Sequence, residues 1–245
     1  MENESEFEIQ VTQAYGESVS YQALAERLTQ LMSAGNPYAI YHLGTLYENG
    51  QGVEKNNTTA LSHYVLADQM GLSQAKYKMG LICEFGQCGV GLSYEVAYDI
   101  YKEASDFGSS DAQCQLGGLY ERGHGVEQDL QKAAYYYKLS SDNGNGRAKF
   151  LLADLYLKGI GVEKSLTEAL ELLHQAAALK NSQAQLWLAV HYKYGHDLPR
   201  DYIRAHTYAS LASVNADNQA DKNAAIEFRD QIFFLMSDDE KKAVF

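Results

Sequence analysis

Apolar residues in this chain follow a helical spacing over short segments, and the segments recur at a nearly fixed interval. Counting from Ala39, Ala75, Ala112, Ala148 and Ala184, the intervals are 36, 37, 36 and 36 residues. Position 5 of each copy is Leu43, Met79, Leu116, Leu152 or Leu188. Position 8 is Leu46, Ile82, Leu119, Leu155 or His191, and position 9 is Tyr47, Cys83, Tyr120, Tyr156 or Tyr192. Positions 1, 5, 8, 9 and 12 share one face at the helical period, which predicts an amphipathic helix. Position 6 is always Gly or Ala (Gly44, Gly80, Gly117, Ala153, Ala189). So small a residue inside a helix lowers helix propensity, so its recurrence predicts a second antiparallel helix packed at close range.

Position 12 is glycine throughout: Gly50, Gly86, Gly123, Gly159 and Gly195. A glycine just past a helix takes the left-handed conformation and satisfies the last carbonyls. A Gly-Val pair follows at Gly52-Val53, Gly89-Val90, Gly125-Val126 and Gly161-Val162, predicting a tight reversal. Four residues before a second set of alanines (Ala60, Ala97, Ala133, Ala169, Ala205) stand Asn56, Ser93, Asp129, Ser165 and Asp201, all good N-cap types. Tyr64, Tyr101, Tyr137 and Leu173 lie on the same side as those alanines, and Gly71, Gly108 and Gly144 close three of these second helices. Each unit thus reads helix, glycine turn, helix, glycine turn. One pair of helices cannot cover its own apolar face, so the units must stack.

The predicted fold class is all-α: a solenoid of about five helix-turn-helix repeats with capping helices at both ends. The expected organisation is a single solenoid domain over 1–245. Residues 1–38 form an N-terminal cap and partial repeat, the repeats occupy 39–74, 75–111, 112–147, 148–183 and 184–216, and residues 217–245 form a C-terminal cap. A short polar helix is expected near Glu6 to Ala14, and Tyr21 to Ser33 reads as the second helix of an incomplete unit. Ala220, Ala224, Phe228, Ile232 and Leu235 are spaced to make an apolar stripe on the C-terminal lid, and Ser237 to Glu240 is a capping-box pattern opening a last helix.

The combination of alanine, Leu-Gly, Leu-Tyr, Gly-x-Gly-Val and a capped helix, cleanest in the stretch from Ala112 to Val126, resembles the Sel-1-like repeat, a relative of tetratricopeptide arrays. The resemblance covers about residues 15 to 215. The departures are an extra loop residue near Cys88, Lys180-Asn181 where other units end in glycine, and Asp197-Leu198-Pro199 in place of a Gly-Val. The last resembles terminal units of bacterial members. The resemblance implies a right-handed α/α superhelix that serves as an adaptor for protein complexes, with the first helices lining its concave side. Some bacterial members are secreted and stapled by disulfides within each unit. This chain lacks that regular cysteine pairing, so secretion does not carry over.

Composition narrows the partners. The net charge of −12 argues against nucleic acid, whose phosphates demand the opposite sign. No run of apolar residues is long enough to span a membrane, and the acidic segment after Met1 does not read as a signal peptide, so a cytoplasmic location and no membrane insertion are expected. Cys83, Cys88 and Cys114 do not recur at equivalent positions and read as reduced thiols. No cofactor and no metal are expected. The seven histidines include no His-x3-His pair, and His191 and His196 straddle a helix end. The Gly-x-Gly segments follow helices and repeat with the array, so they read as turns rather than phosphate loops. No Gly-x-Ser-x-Gly or Cys-His signature marks a nucleophile, so the chain reads as no enzyme.

A solenoid's binding surface is expected where residues vary between repeats. On the first helices this is positions 4, 7 and 11. The candidate partner-binding residues are His42, Asn49, Lys78, Leu81, Phe85, Gln115, Arg122, Leu151, Asp154, Lys158, Trp187 and Tyr194. Aromatic and Arg side chains are the usual anchors of interfaces, which favours Phe85 and Arg122. Trp187 and Tyr194 have an alternative role, burial against the C-terminal cap. Phe85→Ala and Arg122→Glu are expected to abolish partner capture while leaving helicity intact. Three functions compete. The first is a non-catalytic scaffold or adaptor, a monomer or weak dimer, that binds a protein or peptide in its groove. The second is a dedicated regulator or immunity-type inhibitor of a toxin or enzyme. The third is a cell-wall or β-lactam hydrolase, for which no assembled nucleophile is visible.

Overall fold

A computed structural model describes residues 20–87 and 91–244. The helix expected near Glu6 to Ala14, together with Cys88, Gly89 and Val90, lies outside the described residues. The chain divides at Gln128–Asp129 into two compact units. The first holds α1 (Tyr21–Ser33), α2 (Pro37–Asn49), α3 (Asn57–Gln69), α4 (Ser73–Phe85), α5 (Tyr94–Asp106) and α6 (Ser110–Arg122). The second holds α7 (Leu130–Asp142), α8 (Gly146–Lys158), α9 (Leu166–Ala178), α10 (Ser182–Tyr194), α11 (Tyr202–Asn215), α12 (Gln219–Leu235) and α13 (Asp238–Ala243). Within each unit each helix up to α12 packs on the next in sequence, and α13 folds back onto α11. The fold is an all-α solenoid of helix-turn-helix repeats.

The local chemistry explains why the helices start and stop where they do. The side chains of Asn56, Ser93, Asp129, Ser165 and Asp201 each accept a hydrogen bond from the third backbone N–H of the helix they open. The first helices carry a second set of caps that the sequence pattern alone did not single out: Asn36, Ser109, Asn145 and Asn181. Leu72 holds that place before α4, makes no side-chain cap, and is buried in the core instead. Gly50, Gly86, Gly123, Gly159 and Gly195 take the left-handed conformation at the helix ends, each donating its N–H to the carbonyl four residues back. The loop beyond is tied down when the next N-cap residue donates to the carbonyl at position 9. Asn56 donates to Tyr47, Ser93 to Cys83, Ser165 to Tyr156 and Asp201 to Tyr192.

Glycine in the reversal has a second role beyond turning the chain. At Gly52, Gly125 and Gly161 the backbone is left-handed, and an added Cβ would lie 2.2, 2.5 and 2.1 Å from backbone atoms of Tyr21, Tyr94 and Leu130. Each of those residues opens the second helix of the preceding unit. This glycine therefore sets how closely one repeat seats on its neighbour, which a reading of the turn in isolation misses.

Position 6 is where helices of one repeat touch. A Cβ on Gly44 would stand 2.8 Å from the Tyr64 ring, and one on Gly80 would stand 2.3 Å from the Tyr101 ring. Both rings are fully buried. In the second unit, Ala153, Leu173, Ala189 and Ala209 all belong to one buried cluster. The residue sizes change together: Gly faces Tyr in the first two repeats, and the matching positions hold Ala and Leu in the fourth and Ala and Ala in the fifth. Cores demand this because interiors pack to crystal-like density. The cluster runs on through Ile232 and Met236 of the C-terminal cap.

That cap is rotated from its expected setting. Ala225, Ile232 and Met236 are buried and Phe228 packs beside them, while Ala220, Ala224 and Leu235 are exposed. The stripe 225, 228, 232, 236 has the same helical spacing as the expected one, displaced around the axis. It wins because α12 ends at Leu235, and the extended backbone at Met236 turns that side chain inward.

Candidate functional site

In the first unit, the variable positions of α2, α4 and α6 are only partly free. Glu48 and Glu84, both at position 10, organise them. Tyr64 donates its hydroxyl to Glu48 at 2.5 Å, and Lys78 of the next repeat reaches the same oxygen at 3.1 Å. One repeat on, Tyr101 donates to Glu84 at 2.8 Å, and Arg122 pairs with its other oxygen at 3.2 Å. Glu84 is only 4% exposed. A carboxylate that deep requires partners, and it has a phenol and a guanidinium. Burial first, and then the adjacent Glu84 charge, push the Tyr101 phenol far above its ordinary value, so it stays a donor. Gly118 belongs to this arrangement: the Arg122 guanidinium lies 3.1 Å from where a Cβ would be.

Lys78 and Arg122 therefore hold neighbouring repeats together, whatever else they do. Gln115 is buried and Leu81 is half-buried. His42 is half-buried, edge-on to Tyr41, and burial pulls its pKa below the usual histidine range. Asn49 and Phe85 stand out to solvent, and Phe85 is 58% exposed.

In the second unit, Asp154 and Lys158 of α8 pair with each other at 2.6 Å, and Leu151 is half-buried. Trp187 of α10 packs against the cluster that contains Ile232 and Met236, and its ring stacks on His191 at 3.4 Å. Tyr194 is 55% exposed. Beside it Lys193, at position 10, is buried. Its ammonium lies over the Phe228 ring at 4.4 Å and donates to Gln231 of α12 at 3.3 Å. Position 10, a carboxylate site in the first two repeats, is thus the anchor of the cap in the fifth. Sequence reasoning passed over position 10 because Glu48, Glu84 and Lys193 look like ordinary solvated charges until their partners from other repeats are in place. Among the described residues, no group of three His, Cys, Asp or Glu side chains could hold a metal ion, and no helix is long and apolar enough to cross a membrane.

The Sel1 repeat profile matches residues 37–71, 73–108, 110–145, 146–181 and 182–213. The chain belongs to the Sel1 repeat family. Its repeats begin within two residues of the alanine register read from the sequence. Among solved structures it is similar to a Sel1 repeat protein from Oxalobacter formigenes, with 27% identity and TM-score 0.75 over 83% of this chain and 84% of that one. It shares its fold with c5321, a protective antigen of uropathogenic Escherichia coli, with 23% identity and TM-score 0.65 over 84% of this chain and 48% of that one. It also shares its fold with immunity protein Pa5087 from Pseudomonas aeruginosa, with 23% identity and TM-score 0.61 over 80% and 75%.

Proposed function

We propose that this Sel1 repeat chain is a non-catalytic protein-interaction scaffold that holds a partner protein or peptide on the exposed surface of its first helices. The observation that carries this reading is the exposure of Phe85 and Tyr194. Both occupy position 11, in repeats two and five, and both present more than half of their surface to solvent. In each unit the neighbouring charge at position 10 is held by internal contacts, so the large group presented to solvent beside it is aromatic, the type that dominates interface energetics. The other candidates then divide by role. In the first unit Asn49 is exposed beside the aromatic surface, Lys78 and Arg122 hold neighbouring repeats together and Gln115 is buried; in the second Lys158 pairs with Asp154 and Trp187 packs against the cap.

The substitutions that test this must spare the internal pairs. Arg122→Glu would set a second carboxylate against buried Glu84, so its effect would mix folding with binding. Phe85→Ala and Tyr194→Ala leave every ion pair intact. Bait carrying each change, beside wild type, in a lysate of the source cells with mass-spectrometric identification is the direct experiment. A partner retained by wild type and weakened roughly 30-fold or more by an aromatic truncation, at unchanged helicity, supports the reading. Equal capture by all three baits refutes this surface.

The fold shared with an immunity protein supports a narrower reading, in which the partner is a single toxin or enzyme bound one-to-one and silenced. Loss of that partner's activity at equimolar chain distinguishes it from an adaptor that binds several proteins.

A further inference from the structure

We infer that the edge of the second repeat, where α4 gives way to α5, is a docking site for a basic polypeptide segment carrying bulky apolar side chains. The inference rests on the proposed scaffold function and adds the chemistry of the partner at Phe85. It begins with three positions that can be compared across all five repeats. Position 11 is Asn49, Phe85, Arg122, Lys158 and Tyr194. The residue before the N-cap of the second helix is Lys55, Leu92, Gln128, Lys164 and Arg200, and in every repeat this residue lies against the glycine at position 12. The residue whose backbone N–H donates to that N-cap is Thr59, Val96, Lys132, Glu168 and Arg204. Only the second repeat is apolar at all three.

The fold holds these three residues together. Leu92 lies against Gly86, the residue after Phe85, with its Cβ 3.2 Å from where a Gly86 Cβ would stand. Ser93 ties the same segment down at both sides. Its N–H donates to the Cys83 carbonyl at 2.9 Å, and its hydroxyl accepts from the Val96 N–H at 3.3 Å. Phe85, Leu92 and Val96 are 58%, 57% and 47% exposed. A lone exposed apolar residue is ordinary on a protein surface. Three gathered where the other repeats carry mostly polar groups mark an interaction surface.

Charge selects the occupant. The first unit carries 17 acidic and six basic residues, a net charge of −11, whereas the second carries 15 and 14, a net charge of −1. Of the six cations, Lys76, Lys78, Lys102 and Arg122 are paired with other carboxylates, and none of these four reaches Glu95 or Asp99. Glu95 and Asp99 are exposed on α5, four residues apart and so on one face, and they flank Val96 in the chain. The apolar patch therefore has an acidic border. An anionic membrane, a nucleic acid and a second copy of this acidic unit all bring like charge to it, which is strongly disfavoured across an interface. A segment that combines Lys or Arg with large apolar side chains matches both the patch and its border.

The test is selection of a random phage-displayed peptide library on the full chain at low ionic strength. Enriched peptides are then synthesised and titrated by fluorescence anisotropy. The panel is wild type, Tyr194→Ala, the triple variant Phe85→Asn/Leu92→Gln/Val96→Thr and the double variant Glu95→Lys/Asp99→Lys. The triple variant uses residue types that other repeats hold at the same positions, so circular dichroism should show unchanged helicity. The expected peptides join basic and bulky apolar residues. Their affinity should fall about tenfold or more in the triple and the double variants and stay unchanged in Tyr194→Ala. An acidic or neutral consensus, indifference to the charge reversal, or no enrichment overturns the inference. So does a wild-type dimer in sedimentation that the triple variant loses, since the patch then belongs to a second copy. Peptides weakened by the triple variant alone overturn the basic segment and leave the scaffold reading standing. That reading fails separately, through equal capture of cellular proteins by wild type and the aromatic truncations.

Discussion

At the scale of single residues, the chain is governed by size matching across position 6. Gly44 and Gly80 were legible in the sequence as close-approach sites because glycine inside a helix needs a compensating reason. What they approach, the buried rings of Tyr64 and Tyr101, became visible only with the helices packed. Gly80→Ala is expected to destabilise the fold by about 1–3 kcal/mol, since a methyl group would overlap a ring that has nowhere to move. Adding Tyr101→Leu, which gives the residue types that Ala153 and Leu173 hold at the matching positions, should make the double variant cost less than the sum of the two single changes. Urea unfolding of the four proteins in the cycle measures this coupling.

At the scale of elements, helix ends follow rules that sequence reading captures well, and the exceptions are informative. Asn56, Ser93, Asp129, Ser165 and Asp201 were recognisable as caps by residue type and spacing, and each caps as expected. Where Gly71, Gly108 and Gly144 close the second helices, α9 has Lys180, held at φ +64°. A side chain in the left-handed region costs roughly 1 kcal/mol or more, partly offset by the lower entropy of an unfolded non-glycine residue. Lys180→Gly should therefore stabilise the chain by about 0.5 kcal/mol, seen as a higher urea midpoint at unchanged slope. The cap helix α12 was placed correctly along the chain but turned about its axis, because a run containing Ala220, Ala224, Ala225, Phe228 and Ile232 offers two overlapping apolar stripes. Only the seat left by α11 chooses between them.

At the scale of the whole molecule, burial ties stability to pH. His42, His174 and His206 all have their pKa values lowered by burial. The unfolded chain therefore takes up protons on these residues, from about pH 6.5 downward, before the folded chain does. Their contribution to stability is complete above that value and declines as the pH falls below it. Thermal unfolding should show a lower midpoint at about pH 5 than at about pH 7.5, and His42→Gln should flatten the difference.

The repeat register, the helix-turn-helix unit, the N-caps of the second helices and the family were all legible along the chain, because they arise from interactions within one or two turns and recur five times. Tertiary structure alone decided which polar residues are free. Glu48 with Lys78 and Glu84 with Arg122 pair across repeats, at separations of 30 and 38 residues in the chain. Local periodicity carries no record of those distances. A charged side chain on the variable face therefore reads the same in sequence whether it faces solvent alone or a buried carboxylate, and only packing shows that Arg122 is paired with buried Glu84 while Phe85 stands out to water.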